Sequence, residues 1–174
     1  MASPDAHLIV DGYNVIHALD DYRCLLPASL DLACSRLVEA VRAIHDAEAL
    51  AITTVFDGRG NEVTIERPGN VISFSVVYSP SHVSADGVIE QIVRRAKRPQ
   101  EVTVASRDNL VGESVRSAGG ICISPEELAD WIGRAENRLR RMLEARRAKH
   151  KRQEKAGPSP WDELGKLRLR KKER

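Results

Sequence analysis

Four aspartates stand where short apolar runs give out: Asp11 after LIV, Asp57 after TTVF, Asp86 in the segment following VVY, and Asp108 just beyond VTVA. The runs are rich in β-branched residues and have the character of buried strands. In an open α/β sheet the ligand site lies outside the carboxyl ends of the strands, so carboxylates distant in sequence can meet there. Brought together, they repel and raise one another's pKa unless a cation lies between them. Mg²⁺ and Mn²⁺ suit such oxygen ligands and keep waters for chemistry. A cation held this way aligns and deprotonates a water while neutralising charge on a phosphoryl oxygen. Asn14 beside Asp11 and Ser106 beside Asp108 are placed to orient a water, a phosphate or a carboxylate. A lone aspartate after a strand more often ends a turn or caps a helix. Four such placements in one small sheet are harder to dismiss, and joint metal binding is as good a reading of them as four separate caps or turns. Glu90, one turn past Asp86, reads equally as a supporting carboxylate or a solvated helix position.

Other chemistries fit less well. No GxxxxGK loop and no GxGxxG follow a strand, so no nucleotide cofactor is expected. A haloacid-dehalogenase-type phosphatase wants a second Asp two residues past the nucleophile, and that position holds Tyr13. His7, His17, His45, His82 and His150 show no metal-ligand spacing, although His82 precedes Asp86 in a loop. Cys24, Cys34 and Cys122 are odd in number and lack CxxC spacing; they read as buried thiols of a reducing compartment. No apolar stretch approaches the roughly 20 residues that span a bilayer, and the N-terminus lacks a secretory pattern. A cytoplasmic protein with no membrane partner is the expectation.

The elements that must position these groups follow from periodicity. The chain has 174 residues, 42% of them apolar, enough for one core without disulfides. Strands are predicted at residues 7–10, 51–56, 71–78, 101–105 and 121–123, with a shorter candidate at 62–66. Helices are predicted at 29–49, 85–97 and 109–117, and a long one from about 125, where Ser124 and Glu127 form a capping box. Residues 12–27 read as irregular, with Pro27 suited to the first turn of the following helix and Trp131 to the core. Strands alternating with helices predict an α/β fold, a mostly parallel sheet with helices on both faces.

Four motifs now stand in order: Val10-Asp11-Gly12-Tyr13-Asn14-Val15-Ile16, Val55-Phe56-Asp57-Gly58, Ala85-Asp86-Gly87-Val88-Ile89-Glu90 and Thr103-Val104-Ala105-Ser106-Arg107-Asp108. Together they resemble the NYN domain family, and within it the YacP-like bacterial branch, over roughly residues 7–145. The resemblance implies a three-layer PIN-like domain at 1–145 followed by a basic C-terminal helical tail at 146–174. It implies a catalytic set of Asp11, Asn14, Asp57, Asp86 and Asp108, with the four aspartates holding the metal. It also implies metal-dependent RNA cleavage, and for this branch cleavage of messenger RNA on the ribosome.

Charge distribution favours the same substrate. Residues 1–133 carry 11 basic against 19 acidic side chains, whereas residues 134–174 carry 16 against 6. A basic helix neutralises phosphates and steers association with nucleic acid. Its weak apolar face of Leu139, Met142 and Leu143 suggests a helix that projects or lies along a partner, and Trp161 an anchor for the terminal stub. Arg59 and Arg107 flank the proposed metal ligands, Arg94 and Arg95 extend a basic track, and Tyr13 is the aromatic beside the site. With aromatic residues at 4%, a broad base-stacking platform is not expected for single-stranded RNA. The function expected is endoribonuclease hydrolysis of RNA phosphodiester bonds. The alternatives are a non-catalytic RNA- or ribosome-binding module with a degenerate site, and a metal-dependent small-molecule phosphatase, against which the basic tail argues.

Overall fold

The computed structural model describes residues 6–58 and 60–155. The β-branched runs become strands: β1 (His7–Asp11), β2 (Ala51–Asp57), β3 (Thr64–Glu66), β4 (Phe74–Ser79), β5 (Val102–Ala105) and β6 (Ile121–Ile123). Between and after them lie α1 (Gly12–Ala18), α2 (Asp20–Arg23), α3 (Leu30–Ala47), α4 (Ala85–Arg95), α5 (Asn109–Ser117) and α6 (Pro125–Lys155). The strands form one sheet in the order β3-β4-β2-β1-β5-β6. All neighbours are parallel except β3, which closes one edge antiparallel to β4. The chain moves outward from β1 to β2 and β4 on one side, then returns to lay β5 and β6 on the other. The junction of β1 and β5 is therefore the switch point, where an α/β sheet opens a crevice.

Strand alternation sends side chains into two cores. Val10, Phe56 and Phe74 pack on one face beneath α1, α3 and the first turns of α6, against Val15, Leu37, Val41 and Leu128. Ile9, Val55, Val77 and Val104 pack on the other, against Ile89 and Val93 of α4 and Val111 and Val115 of α5. The result is the expected three layers, a mostly parallel sheet between helices. Each fully buried Phe, Leu or Ile contributes about 1.5–3 kcal/mol relative to exposure.

Several local expectations are corrected. Residues 12–18 and 20–23, read as irregular, are helical. Asp11 ends β1 and caps α1 at once, so no turn residues separate the two elements. The following helix starts at Leu30, one residue past the expected 29 and with Pro27 outside its first turn, because the Ser29 hydroxyl caps it by accepting from Leu32 N at 3.2 Å. None of the three thiols is fully buried: Cys24 is exposed, and Cys34 and Cys122 are intermediate. Trp131 is only half-buried; it packs on the first core while its indole donates to Glu48 Oε1 at 2.9 Å. The capping box forms as expected, with Ser124 N donating to Glu127 Oε2 at 2.7 Å and Glu127 N to Ser124 Oγ at 3.2 Å.

The chain divides into two units, one ending at Glu136 and one beginning at Asn137. In the second, the described side chains from 137 to 152 are exposed apart from a half-buried Leu139. Trp161 and Arg59 lie outside the described residues. Among the described residues, no helix is long and apolar enough to cross a membrane.

Candidate active site

Asp11 is the centre of the site. As the last residue of β1, beside Val55 of β2, it sits at the carboxyl edge of the sheet and is 5% exposed. One carboxylate oxygen, Oδ2, accepts from Ser106 Oγ at 2.9 Å, and the other from Asn14 N at 3.4 Å. Ser106 in turn accepts from Asp108 N at 3.1 Å, tying the loop after β5 to the end of β1. Asn14 fixes the same loop from the other side, its Oδ1 accepting from Arg107 N at 2.7 Å. Asn14 thus aligns Asp11 and the 106–108 loop.

Close backbone approach shapes this edge. A Cβ on Gly12 would stand 2.2 Å from the Phe56 ring, so only glycine lets α1 start directly over that side chain. A Cβ on Gly58 would stand 2.2 Å from Ser79 O. The two glycines explain why DG follows both β1 and the body of β2.

The other aspartates have local partners. Asp57 Oδ1 accepts from Ala85 N at 2.7 Å, holding the first turn of α4 against the end of β2. Asp108 caps α5, its Oδ1 accepting from Leu110 N at 2.7 Å and Val111 N at 3.3 Å. Asp86 lies in the first turn of α4, whose N-cap is Ser84. Three of the four thus anchor a helix start as well as facing the sheet edge.

Electrostatics bind the set together. Burial is the main force on Asp11, pushing its carboxyl up to about 6; the bonds from Ser106 and Asn14 work downward, and the charges of Asp86 and Asp57 upward. No basic side chain is among these groups. Asp86 is also raised, by burial first and then by Asp108, Asp57 and Glu90. A cation bound among these carboxylates would offset both their burial and their mutual repulsion.

A cleft of about 510 Å³ opens at this edge, lined by Asp11, Tyr13, Asn14, His17, Asp57, Arg107 and Asp108. Asp86 does not line it, although it acts on Asp11 through space. Among the described residues, no three His, Cys, Asp or Glu side chains are grouped tightly enough to ligate one ion as they stand. The four-aspartate set is therefore an electrostatic cluster around an open cleft and not a closed chelate. An open site suits Mg²⁺, which binds through one or two carboxylates and keeps several waters.

Of the cations expected to meet RNA, Arg107 lines the cleft and its guanidinium pairs with Glu126. Arg94 pairs with Glu90 at 3.1 Å, so Glu90 is spent on an i,i+4 ion pair. Arg95 is an exposed residue at the end of α4. His82 is exposed and outside the cleft. Sequence reasoning missed His17, which lines the cleft one helical turn after Asn14. Its signal was the i,i+3 spacing, invisible while residues 12–18 were read as irregular. Ser106 was recognised, but its partner is Asp11 as much as Asp108.

A family model described as the YacP-like NYN domain matches residues 8–171. Among solved structures the chain is similar to Rae1 (YacP) from Bacillus subtilis, with 21% identity, coverage of 95% of this chain and 91% of that one, and a TM-score of 0.67. A tryptophan-to-leucine mutant of the same protein matches at 23% identity over 82% and 84% of the chains, with a TM-score of 0.64. No curated protein matches the sequence significantly. At these identities the structures show the shared fold, and the family model carries the assignment. The chain belongs to the YacP-like NYN domain family, a family of nucleases.

Proposed function

We propose that this protein is a divalent-metal-dependent endoribonuclease whose substrate is single-stranded or messenger RNA, met on the ribosome. The observation that supports it most is Asp11: a buried carboxylate at the sheet's switch point, raised to about 6 and facing the charges of Asp57 and Asp86. Asp11, Asp57 and Asp108 border one cleft, where one or two of them, with waters, would hold Mg²⁺ or Mn²⁺, and Asp86 reinforces the field from outside it. When bound, such a cation polarises a water and neutralises charge on the phosphoryl oxygen.

The chain's own groups set the geometry. Ser106 and the Asn14 amide hold the two oxygens of Asp11 in place. The Asn14 side chain keeps the Arg107 backbone at the cleft, so Arg107 and His17 can offer N–H donors to a phosphate entering there. Attack by water leaves a 5′-phosphate and a 3′-hydroxyl, whereas attack by the RNA's own 2′-hydroxyl needs no acidic cluster. The ribosome as the meeting place follows from the family resemblance of the motifs and is consistent with the basic C-terminal segment.

The test is cleavage of end-labelled single-stranded RNA by the purified protein in Mn²⁺, Mg²⁺ or EDTA, with and without ribosomes, beside Asp11→Asn. Metal-dependent cuts with 5′-phosphate ends, lost in Asp11→Asn, are expected. Cuts only with ribosomes place the substrate in translation. Tight RNA binding with no cleavage under any condition would leave a binding module and overturn the nuclease reading.

A further inference from the structure

Tyr13 borders two cavities. One is the carboxylate cleft. The other is a groove of about 460 Å³ beside α3 and β4, whose floor includes Cys34, Val38, Phe74 and Tyr78. Its volume is in the range of small-molecule sites. The buried Phe56 ring packs against both tyrosines, 5.2 Å from Tyr13 and 5.8 Å from Tyr78, stacked on the latter at 25°. Tyr13, at the acidic edge, and Tyr78, in the groove, thus share one aromatic cluster through Phe56, and both tyrosines are only half-buried.

The charge of the groove selects its occupant. Asp31, Glu39 and Glu66 line it, and its single cation, Arg42, is already spent: the guanidinium donates to Pro68 O at 2.8 Å and lies 5.0 Å from the centre of the Phe74 ring. Such a groove repels phosphate and favours a neutral planar group with N–H donors at its edge. Stacking on aromatic rings with hydrogen bonds to the exposed edge is how unpaired bases are held.

We propose that this groove is a nucleobase subsite, in which Tyr13 and Tyr78 stack the base next to the phosphodiester in the carboxylate cleft, and Asp31 and Glu66 favour guanine. Guanine is the preferred base because its N1–H and N2–H donors are adjacent and suit one carboxylate, whereas uracil presents one N–H between two carbonyls. The subsite rests on the nuclease reading, since it places a base beside the scissile bond. Tyr78 is its distinguishing residue, because Tyr13 also belongs to the cleft.

The test uses three oligouridine RNAs of equal length, one unaltered, one with a single central guanosine and one with a single central abasic residue. Affinity for the full chain is measured by fluorescence anisotropy in Ca²⁺, which screens the carboxylates, and the cut position is mapped in Mn²⁺. Base stacking on an aromatic side chain contributes about 1–3 kcal/mol, so the guanosine RNA should bind about tenfold or more tighter than the abasic one. It should also bind more tightly than the all-uridine RNA and be cut next to the guanosine. Tyr78→Ala should abolish the difference and Tyr78→Phe preserve it. Equal affinity for the three RNAs with the unaltered protein, or a preference that survives in Tyr78→Ala, overturns the subsite. Cleavage without base preference sinks the subsite alone; base preference without cleavage sinks the nuclease reading alone. No binding to any of the three overturns both.

Discussion

Burying a carboxylate costs stability, and under the proposed function a bound divalent ion would offset that cost at Asp11. Its folded-state value is about 6 against an ordinary 3.8, so between those values the folded chain binds the proton more tightly than the unfolded chain. Stability therefore falls as pH rises through that window, and the full cost, roughly 2–3 kcal/mol, applies above it. Asp11→Asn removes the charge but keeps an oxygen to cap α1. At pH 8 the variant should melt a few degrees higher than the unaltered protein, and the gap should close by about pH 4. Mg²⁺ should raise the melting temperature of the unaltered protein and leave the variant unmoved, while RNA cleavage falls at least about a hundredfold. A pH series of thermal melts with and without Mg²⁺ reads all of this except turnover; a destabilised variant at pH 8 would contradict the assignment. Ser106→Ala tests the support of Asp11. Losing that hydrogen bond, worth about 1 kcal/mol, should move the acid limb of cleavage upward by up to about one pH unit. The aspartates were legible in the sequence because residue type and strand-end position suffice to find them. The bond from Ser106 to Asp11 was not, because it joins segments that only the sheet order brings together, and the place of His17 was not, because it depends on residues 12–18 being helical.

At the scale of elements, the start of α1 depends on one missing side chain. Gly12→Ala places a methyl against the Phe56 ring, within the region where Asp11 must point at the cleft. Overpacking of this kind costs about 1–3 kcal/mol. Urea denaturation should show that loss, and Gly12→Ala combined with Phe56→Leu should recover part of it, since the clash is with the ring itself. Recovery of stability without recovery of cleavage would mean that the aromatic cluster also has a part in substrate positioning. The parallel strands were readable because β-branched runs bounded by Asp-Gly or a polar loop have few other solutions in a chain of alternating helices. The helix at 12–18 was not. Its cap is the last strand residue, and Val15, Ile16 and the glycine before them look like strand and turn when viewed locally. The sheet's packing of Val15 and Ile16 into the first core settles what local propensity leaves open. The start of the next helix follows the same lesson in reverse, with the hydroxyl of Ser29 outranking the proline two residues earlier.

For the whole molecule, charge is divided between an acidic site and a basic C-terminal stretch, and the two must be separable by experiment. Residues 134–174 carry 16 of the 27 basic side chains, while the candidate site is built from carboxylates. Affinity for RNA should therefore come from the basic stretch and turnover from the site. Arg140, Arg141, Arg146 and Arg147 are exposed. Replacing all four by Gln removes cations and leaves the helix long-chained and soluble. For single strands, each phosphate contact contributes about −0.7 to the slope of log K against log salt. If all four touch the backbone, the slope should flatten by up to about 3 and affinity at low salt should drop by orders of magnitude. Cleavage at saturating RNA should stay near that of the unaltered protein, because no residue of the cleft has changed. Asp11→Asn should do the opposite, holding affinity while turnover disappears. A quadruple variant that binds with an unchanged salt slope would move RNA contact to the body, where Arg94 and Arg95 are the next cations to replace. A loss of turnover that persists at saturating RNA would show that the basic helix orders the substrate in the cleft as well as capturing it.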